Sequence, residues 1–102
     1  MTAILMVQRE RLVALCQKHR VRRLDVFGSA ARDDFDDRSS DIDLLVEFEE
    51  MPFHDRGDAY LGLLTEAEAL LGRHVDLVEV SAVRNPYLRQ GIEASRHLLY
   101  VA

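Results

Sequence analysis

The stretch 28–46 reads GSAARDDFDDRSSDIDLLV, and the architecture of the chain turns on it. A short apolar segment, Leu24-Asp25-Val26-Phe27, runs into Gly28-Ser29, and after a polar, acidic loop a second segment opens with Ser40-Asp41-Ile42-Asp43. In a strand, residues two apart point the same way. Read so, Asp41, Asp43 and Glu47 share one face, while Ile42, Leu44, Val46 and Phe48 share the other. The apolar face can pack on helices and leave the acidic face open to a metal ion.

Working outward toward the N-terminus, residues 2–19 contain neither Gly nor Pro, and Leu5, Leu12, Leu15, Cys16 and His19 recur at helical spacing among charged residues. This predicts one amphipathic helix. Arg22 to Phe27 reads as a short strand ended by Gly28, and Ser29 as the N-cap of a brief helical turn through Ala30, Ala31 and Arg32. Such a turn offers backbone N–H groups at the end of the first strand. Asp33 to Ser40 has no apolar period and reads as a loop.

Beyond the second strand, Pro52 and Gly57 mark a connection, and Tyr60, Leu64, Ala67 and Leu71 define a helix that Gly72 is placed to end. Val75 to Val80 is a β-branched third strand carrying Asp76. Asn85-Pro86 has the form of a cap followed by proline in the first helical turn, and Leu88, Ile92, Ser95 and Leu99 extend a final helix. The expected order is α-β-turn-β-α-β-α: an α/β (α+β) two-layer domain over residues 1–102, a small mixed sheet with helices on one face.

Composition narrows the function. Residues 33–43 hold six Asp against Arg38, so this segment alone accounts for the chain's net charge of −5. An acidic chain without a basic stripe is poorly suited to nucleic acid, whose affinity comes largely from phosphate neutralisation. The single cysteine, Cys16, cannot form an internal disulfide and reads as buried filler. The opening MTAILMVQRERL is too short and too soon charged for a signal peptide or membrane span, so a cytoplasmic protein is expected.

Three features together fit phosphoryl or nucleotidyl transfer. Gly28-Ser29 supplies backbone N–H groups and a hydroxyl for a triphosphate. Asp41 and Asp43 supply paired carboxylates for divalent cations, and Asp76 supplies a third from another strand. Crowded carboxylates repel one another, a cost that Mg²⁺ offsets while sharing its oxygen ligands with substrate phosphates. Taken singly, each has a plainer reading: a Gly-Ser turn is only a turn, an Asp-x-Asp strand a solvated face, and Asp76 an exposed strand residue. Arg32 could meet the triphosphate or a loop Asp with equal ease. His19, His54, His74 and His97 have no ligand spacing and read as surface or helix-end residues, as does Glu47 on the acidic face. Met51-Pro52-Phe53 reads as an apolar tip, for a partner or for anchoring its own loop.

Gly28-Ser29, Ala31-Arg32, Ser40-Asp41-Ile42-Asp43-Leu44-Leu45-Val46 and Gly72-Arg73-His74-Val75-Asp76-Leu77-Val78 resemble the minimal nucleotidyltransferases of the DNA polymerase β superfamily. Within it, the chain is most similar to antitoxins encoded beside HEPN-domain toxins, over nearly its whole length. The resemblance implies a polymerase β palm-like fold, with Gly28 and Ser29 on the nucleotide phosphates and Arg32 beside them. It implies Asp41 and Asp43 as ligands of Mg²⁺, in a pair of ions, with Asp76 as the third acidic residue. It further implies ATP as donor and a tyrosine of the HEPN partner as AMP acceptor. Two departures stand out: Asp33 follows Arg32 where the family commonly has Gly, and the loop from Ala30 to Ser40 is one residue longer than usual.

Two other functions stay in view. The acidic Asp33 to Asp37 segment also suits a non-catalytic antitoxin that docks on a basic partner, with the nucleotide site vestigial or only sensing ATP. Transfer to a small molecule such as an aminoglycoside would call for an added helical domain, which 102 residues cannot hold. Oligomeric state stays open.

Overall fold

A computed structural model of the protein describes residues 1–32 and 41–102. The acidic segment Asp33 to Asp37, and Ser40, lie outside the described residues, so their expected roles have no structural counterpart here.

The chain opens with two helices in place of the single one expected, α1 (Ala3–Val7) and α2 (Arg9–Lys18). Gln8 leaves helical geometry at φ −96° and ψ 9°, and its N–H still closes on Ile4 O at 3.0 Å. The break lets both helices face the same core, with Leu5, Leu12 and Cys16 all buried. A pattern of apolar spacings carries across such a break without revealing it.

Strand β1 (Val21–Phe27) ends in a short 3₁₀ turn at Gly28–Ala30, and β2 (Ile42–Phe48) is the next element among the described residues. Helix α3 (Phe53–Leu71) starts well before Tyr60, directly after Pro52, so Gly57 lies within a helix and not a connection. It ends as expected at Gly72, which takes the left-handed conformation at φ 67° and returns its N–H to Glu68 O at 2.9 Å. Strand β3 (Val75–Glu79) comes next, then α4 (Pro86–Ser95), whose cap is the one the sequence announces: Asn85 Oδ1 accepts from the N–H of Tyr87 at 2.8 Å and of Leu88 at 3.4 Å.

The last segment corrects the expected topology. Helix α4 stops at Ser95, and His97–Val101 forms a fourth strand, β4, antiparallel to β1. The spacing that linked Ile92 and Ser95 to Leu99 spans two elements. Leu99 is buried because it faces the core from a strand next to Leu24 and Val26. The sheet order is β3-β2-β1-β4, with β1 antiparallel to both neighbours and β2 parallel to β3 across the α3 crossover.

Alternation along β2 falls as expected. Ile42, Leu44, Val46 and Phe48 join Leu24, Val26, Val75, Leu77 and Leu99 in the main core beneath α1, α2 and α3. The opposite face is only partly open. Helix α4 covers part of it, where Ile92 meets Phe27, Leu45 and Val83 in a second, smaller cluster. Asp43 lies on the same face, paired with Asp76 of β3. No helix among the described residues is long and apolar enough to cross a membrane.

Candidate active site

Strand register brings two of the three expected carboxylates together. Asp43 on β2 lies directly opposite Asp76 on β3 and, on its other side, opposite Phe27 at the end of β1. Asp76 is exposed and Asp43 half-buried. Helix α3 holds the edge strand on both sides of Asp76: Glu68 Oε2 accepts from the Val75 N–H at 3.1 Å, and the Tyr60 hydroxyl donates to Leu77 O at 2.5 Å. An edge strand anchored on both sides of Asp76 presents that carboxylate in a fixed register.

Gly28 follows Phe27 and sits against Asp43. A Cβ at Gly28 would lie 2.5 Å from Asp43 Oδ2, and the residue's φ is +70°. The left-handed backbone strains any side chain at this position, and a Cβ would also force the Asp43 carboxylate to shift. The turn favours glycine first, and the approach of Asp43 adds to it. Ser29 is half-buried beside it. The turn is held at both ends, by the Thr2 N–H on Ala30 O at 2.9 Å and by Ser95 Oγ, which accepts the Gly28 N–H at 3.0 Å. The Gly28 amide is thus engaged within the protein, contrary to the expectation of an open row of N–H donors.

Asp41 precedes β2 and is about half exposed. Its Oδ2 is 3.3 Å from His74 Nδ1, just before β3, where His74 O accepts the Ile42 N–H at 3.2 Å. In this arrangement the Asp41 carboxylate is taken up by His74. Among the described residues, no three His, Cys, Asp or Glu side chains converge closely enough to hold a metal ion as they stand. The electrostatics nonetheless join the three acids. Burial pushes the Asp43 carboxyl above the usual aspartate range, Asp76 and then Asp41 push it further, and Arg32 pulls the other way. Arg32 therefore lies close enough to act on the acidic centre. Every candidate ligand is a carboxylate oxygen, the donor type that suits a hard divalent cation sharing its coordination with phosphates.

Residues with plainer expected roles mostly keep them. Cys16 is buried, and burial raises its thiol pKa to about 12, so it is inert filler. His54 and His97 are exposed, whereas His19 is tucked against α3. A Cβ at Gly62 would lie 2.6 Å from His19 Cε1, and the ring meets Glu66 Oε2 at 2.8 Å. At the apolar tip, Met51 packs on the main core and Phe53 is 86% exposed.

Sequence reading missed the partners of Asp25. This residue is fully buried in mid-strand on the acidic face, and the Arg96 guanidinium meets its Oδ2 through Nε at 2.5 Å and also through Nη2. Arg23 Nε adds a contact to Oδ1 at 3.2 Å. Burial opposes the Arg96 charge, but the bonds to Asp25 and Glu93 outweigh it and raise the guanidinium's pKa. A lone carboxylate inside Leu24-Asp25-Val26-Phe27 was the available signal, since such a group needs a buried cation. Nothing in the sequence pointed to Ser95.

The family model of the nucleotidyltransferase domain matches residues 9–99. A candidate protein adenylyltransferase of Methanocaldococcus jannaschii is 38% identical over 87 residues, covering 85% of this chain and 83% of its own length. The solved structure of a candidate minimal nucleotidyltransferase is 36% identical, with a TM-score of 0.66 over 91% of this chain and 90% of that one. A chain in the structure of a tri-AMPylated Shewanella oneidensis HEPN toxin in complex with MNT antitoxin gives a TM-score of 0.64 at 18% identity. It covers 95% of this chain and 72% of that one, a likeness of fold alone.

Proposed function

The chain belongs to the nucleotidyltransferase domain family and is a nucleotidyltransferase, and from that premise we propose that it is an antitoxin that moves AMP from ATP to a tyrosine hydroxyl of a HEPN-domain toxin. The relative named as a candidate adenylyltransferase of proteins supports a protein acceptor. The AMPylated HEPN toxin bound to an MNT antitoxin in a structure of the same fold supports this partner. The observation that carries the reading is the wedge of Gly28 against Asp43, with Asp76 in register beside it. It joins the Gly28-Ser29 turn to paired carboxylates within one small patch.

In this reading the acceptor oxygen attacks the α-phosphorus of ATP, forming the new O–P bond as the bond to the β-phosphate oxygen breaks. Pyrophosphate leaves and the hydroxyl proton is released. Ser29 donates its hydroxyl to the phosphates, Gly28 lets them approach the backbone, and Arg32 adds positive charge on the same side. Asp41, Asp43 and Asp76 would hold Mg²⁺, as a pair of ions. Bound there, the cations supply charge neutralisation for the triphosphate and stabilise the entering and leaving oxygens. Asp43, whose carboxyl is strained by burial and by its acidic neighbours, gains most from that neutralisation.

The test is to incubate the protein with ATP, Mg²⁺ and the purified product of an adjacent gene encoding a HEPN-domain protein, and to take intact masses. The partner is expected to gain one or more AMP units, and Asp43→Asn to abolish the gain. If neither protein gains AMP, or if the adduct forms equally with Asp43→Asn, the transfer reading is wrong. Stoichiometric neutralisation that survives Asn at positions 41, 43 and 76 would instead establish inhibition by docking.

A further inference from the structure

Helix α4 carries none of the three candidate metal-site carboxylates, yet its last turn is fastened to the Gly28-Ser29 turn. Two contacts do this from adjacent residues. Ser95 Oγ accepts the Gly28 N–H at 3.0 Å, and Arg96 closes on the buried Asp25 three residues upstream of Gly28. Ser95 is itself buried at 8% exposure, and its hydroxyl donates a hydrogen bond to Gly91 O at 3.1 Å. Gly28 N–H, Ser95 O–H and Gly91 C=O therefore form one directional chain, each member fixing the next.

Gly28 most needs an external hold. Its positive φ and the missing Cβ make it the least restrained link between β1 and Ser29, and Asp43 Oδ2 crowds it from the other side. A hydrogen bond to its N–H from a buried hydroxyl fixes the rotation of the Phe27–Gly28 peptide. That rotation in turn sets where Ser29 points.

We propose that Ser95 is a positioning residue for nucleotide binding: through the Gly28 amide it holds the Gly28-Ser29 turn in the orientation that receives the ATP phosphates. The inference rests on the nucleotidyltransferase reading of this site. It assigns α4 a role beyond packing, although the helix touches no substrate.

The experiment compares the native protein with Ser95→Ala, Ser95→Thr and Ser95→Val. It measures MgATP affinity by calorimetry, amide exchange at Gly28 by NMR, and melting temperature. Thr and Val have the same shape and differ only in the hydroxyl, so packing and hydrogen bonding separate. Loss of one net hydrogen bond to the turn is expected to weaken MgATP binding about three- to tenfold in Ser95→Ala. Gly28 exchange should accelerate in the same variant. Ser95→Thr should restore both and Ser95→Val neither, at similar melting temperatures. Equal MgATP affinity for the Thr and Val variants, or an Ala variant within twofold of native, would overturn the proposal. A native protein that does not bind MgATP overturns the underlying ATP reading, and Gly28 exchange in the three variants then decides by itself whether Ser95 holds the turn.

Discussion

Asp43 is the side chain on which the proposed chemistry turns. It is half-buried, faces Asp76 across the parallel pair, and leaves no room for a Cβ at Gly28. Its carboxyl pKa is raised, by burial first and by Asp76 and Asp41 next. The sign of the consequence follows from linkage. A folded-state pKa above the unfolded value means that the native state holds the extra proton, so stability falls as pH rises from the ordinary aspartate range through the raised pKa. Above its raised pKa the ionised Asp43 therefore destabilises the metal-free fold. Asp43→Asn removes that charge and should melt higher than native protein at neutral pH in the presence of a chelator. The difference should vanish below the ordinary aspartate range, where native Asp43 is protonated as well. Thermal scans across pH check this, and a variant that melts lower than native at neutral pH would contradict it. On the proposed function, Asp43 is a residue that trades stability for activity, a common exchange where activity needs a destabilised group.

At the level of elements, α4 packs on the second face of the sheet and meets the Gly28 turn, and β4 extends the sheet beside β1. Asn85 caps α4 with bonds to two N–H groups, so Asn85→Ala should cost about 1 kcal/mol. Leu99 is 3% exposed in β4, and Leu99→Ala should cost about 2–5 kcal/mol, whereas Leu98→Ala, at 43% exposure, should cost well under half of that. Urea unfolding of the three variants measures these differences. A large loss at Leu98 would place the strand in the wrong register. The strand is fixed by its pairing with β1, where Leu98 lies opposite Asp25 and Tyr100 opposite Leu24, a meeting that apolar spacing within residues 92–99 does not encode. Asp25 and Arg96 explain why the helix ends where it does: Arg96 turns extended at ψ 139° to reach a carboxylate buried in β1.

For the whole molecule, the distribution of charge matters most. Residues 33–43 hold a net charge equal to that of the entire chain, −5, and the acidic end of β2 lies within it. A ligand that neutralises this region and binds only the folded state stabilises the protein by mass action. MgATP at about a hundred times its Kd should add about 2.7 kcal/mol, which for a domain of this size is a rise in Tm of roughly 10 °C or more. Differential scanning calorimetry with and without MgATP reads the shift. Asp41→Asn should reduce it. An unchanged Tm in native protein would mean that the site does not bind the nucleotide.

The sequence by itself determined the strand-turn-strand unit, because alternation along Asp41 to Phe48, the Gly28 punctuation, the Gly72 and Asn85-Pro86 helix signals, and Asp76 within a β-branched run are all local patterns. It also carried the family resemblance, for the same reason. The tertiary structure decided what depends on contacts between distant residues: the break at Gln8, the fourth strand, the cover that α4 gives the second face, the turning of Asp41 to His74, and the hold of Ser95 on Gly28. Position 95 is separated from position 28 by 67 residues. No periodicity in a chain encodes such a meeting; it exists only once β4 pairs with β1 and brings the end of α4 back to the turn where the chain's chemistry is gathered.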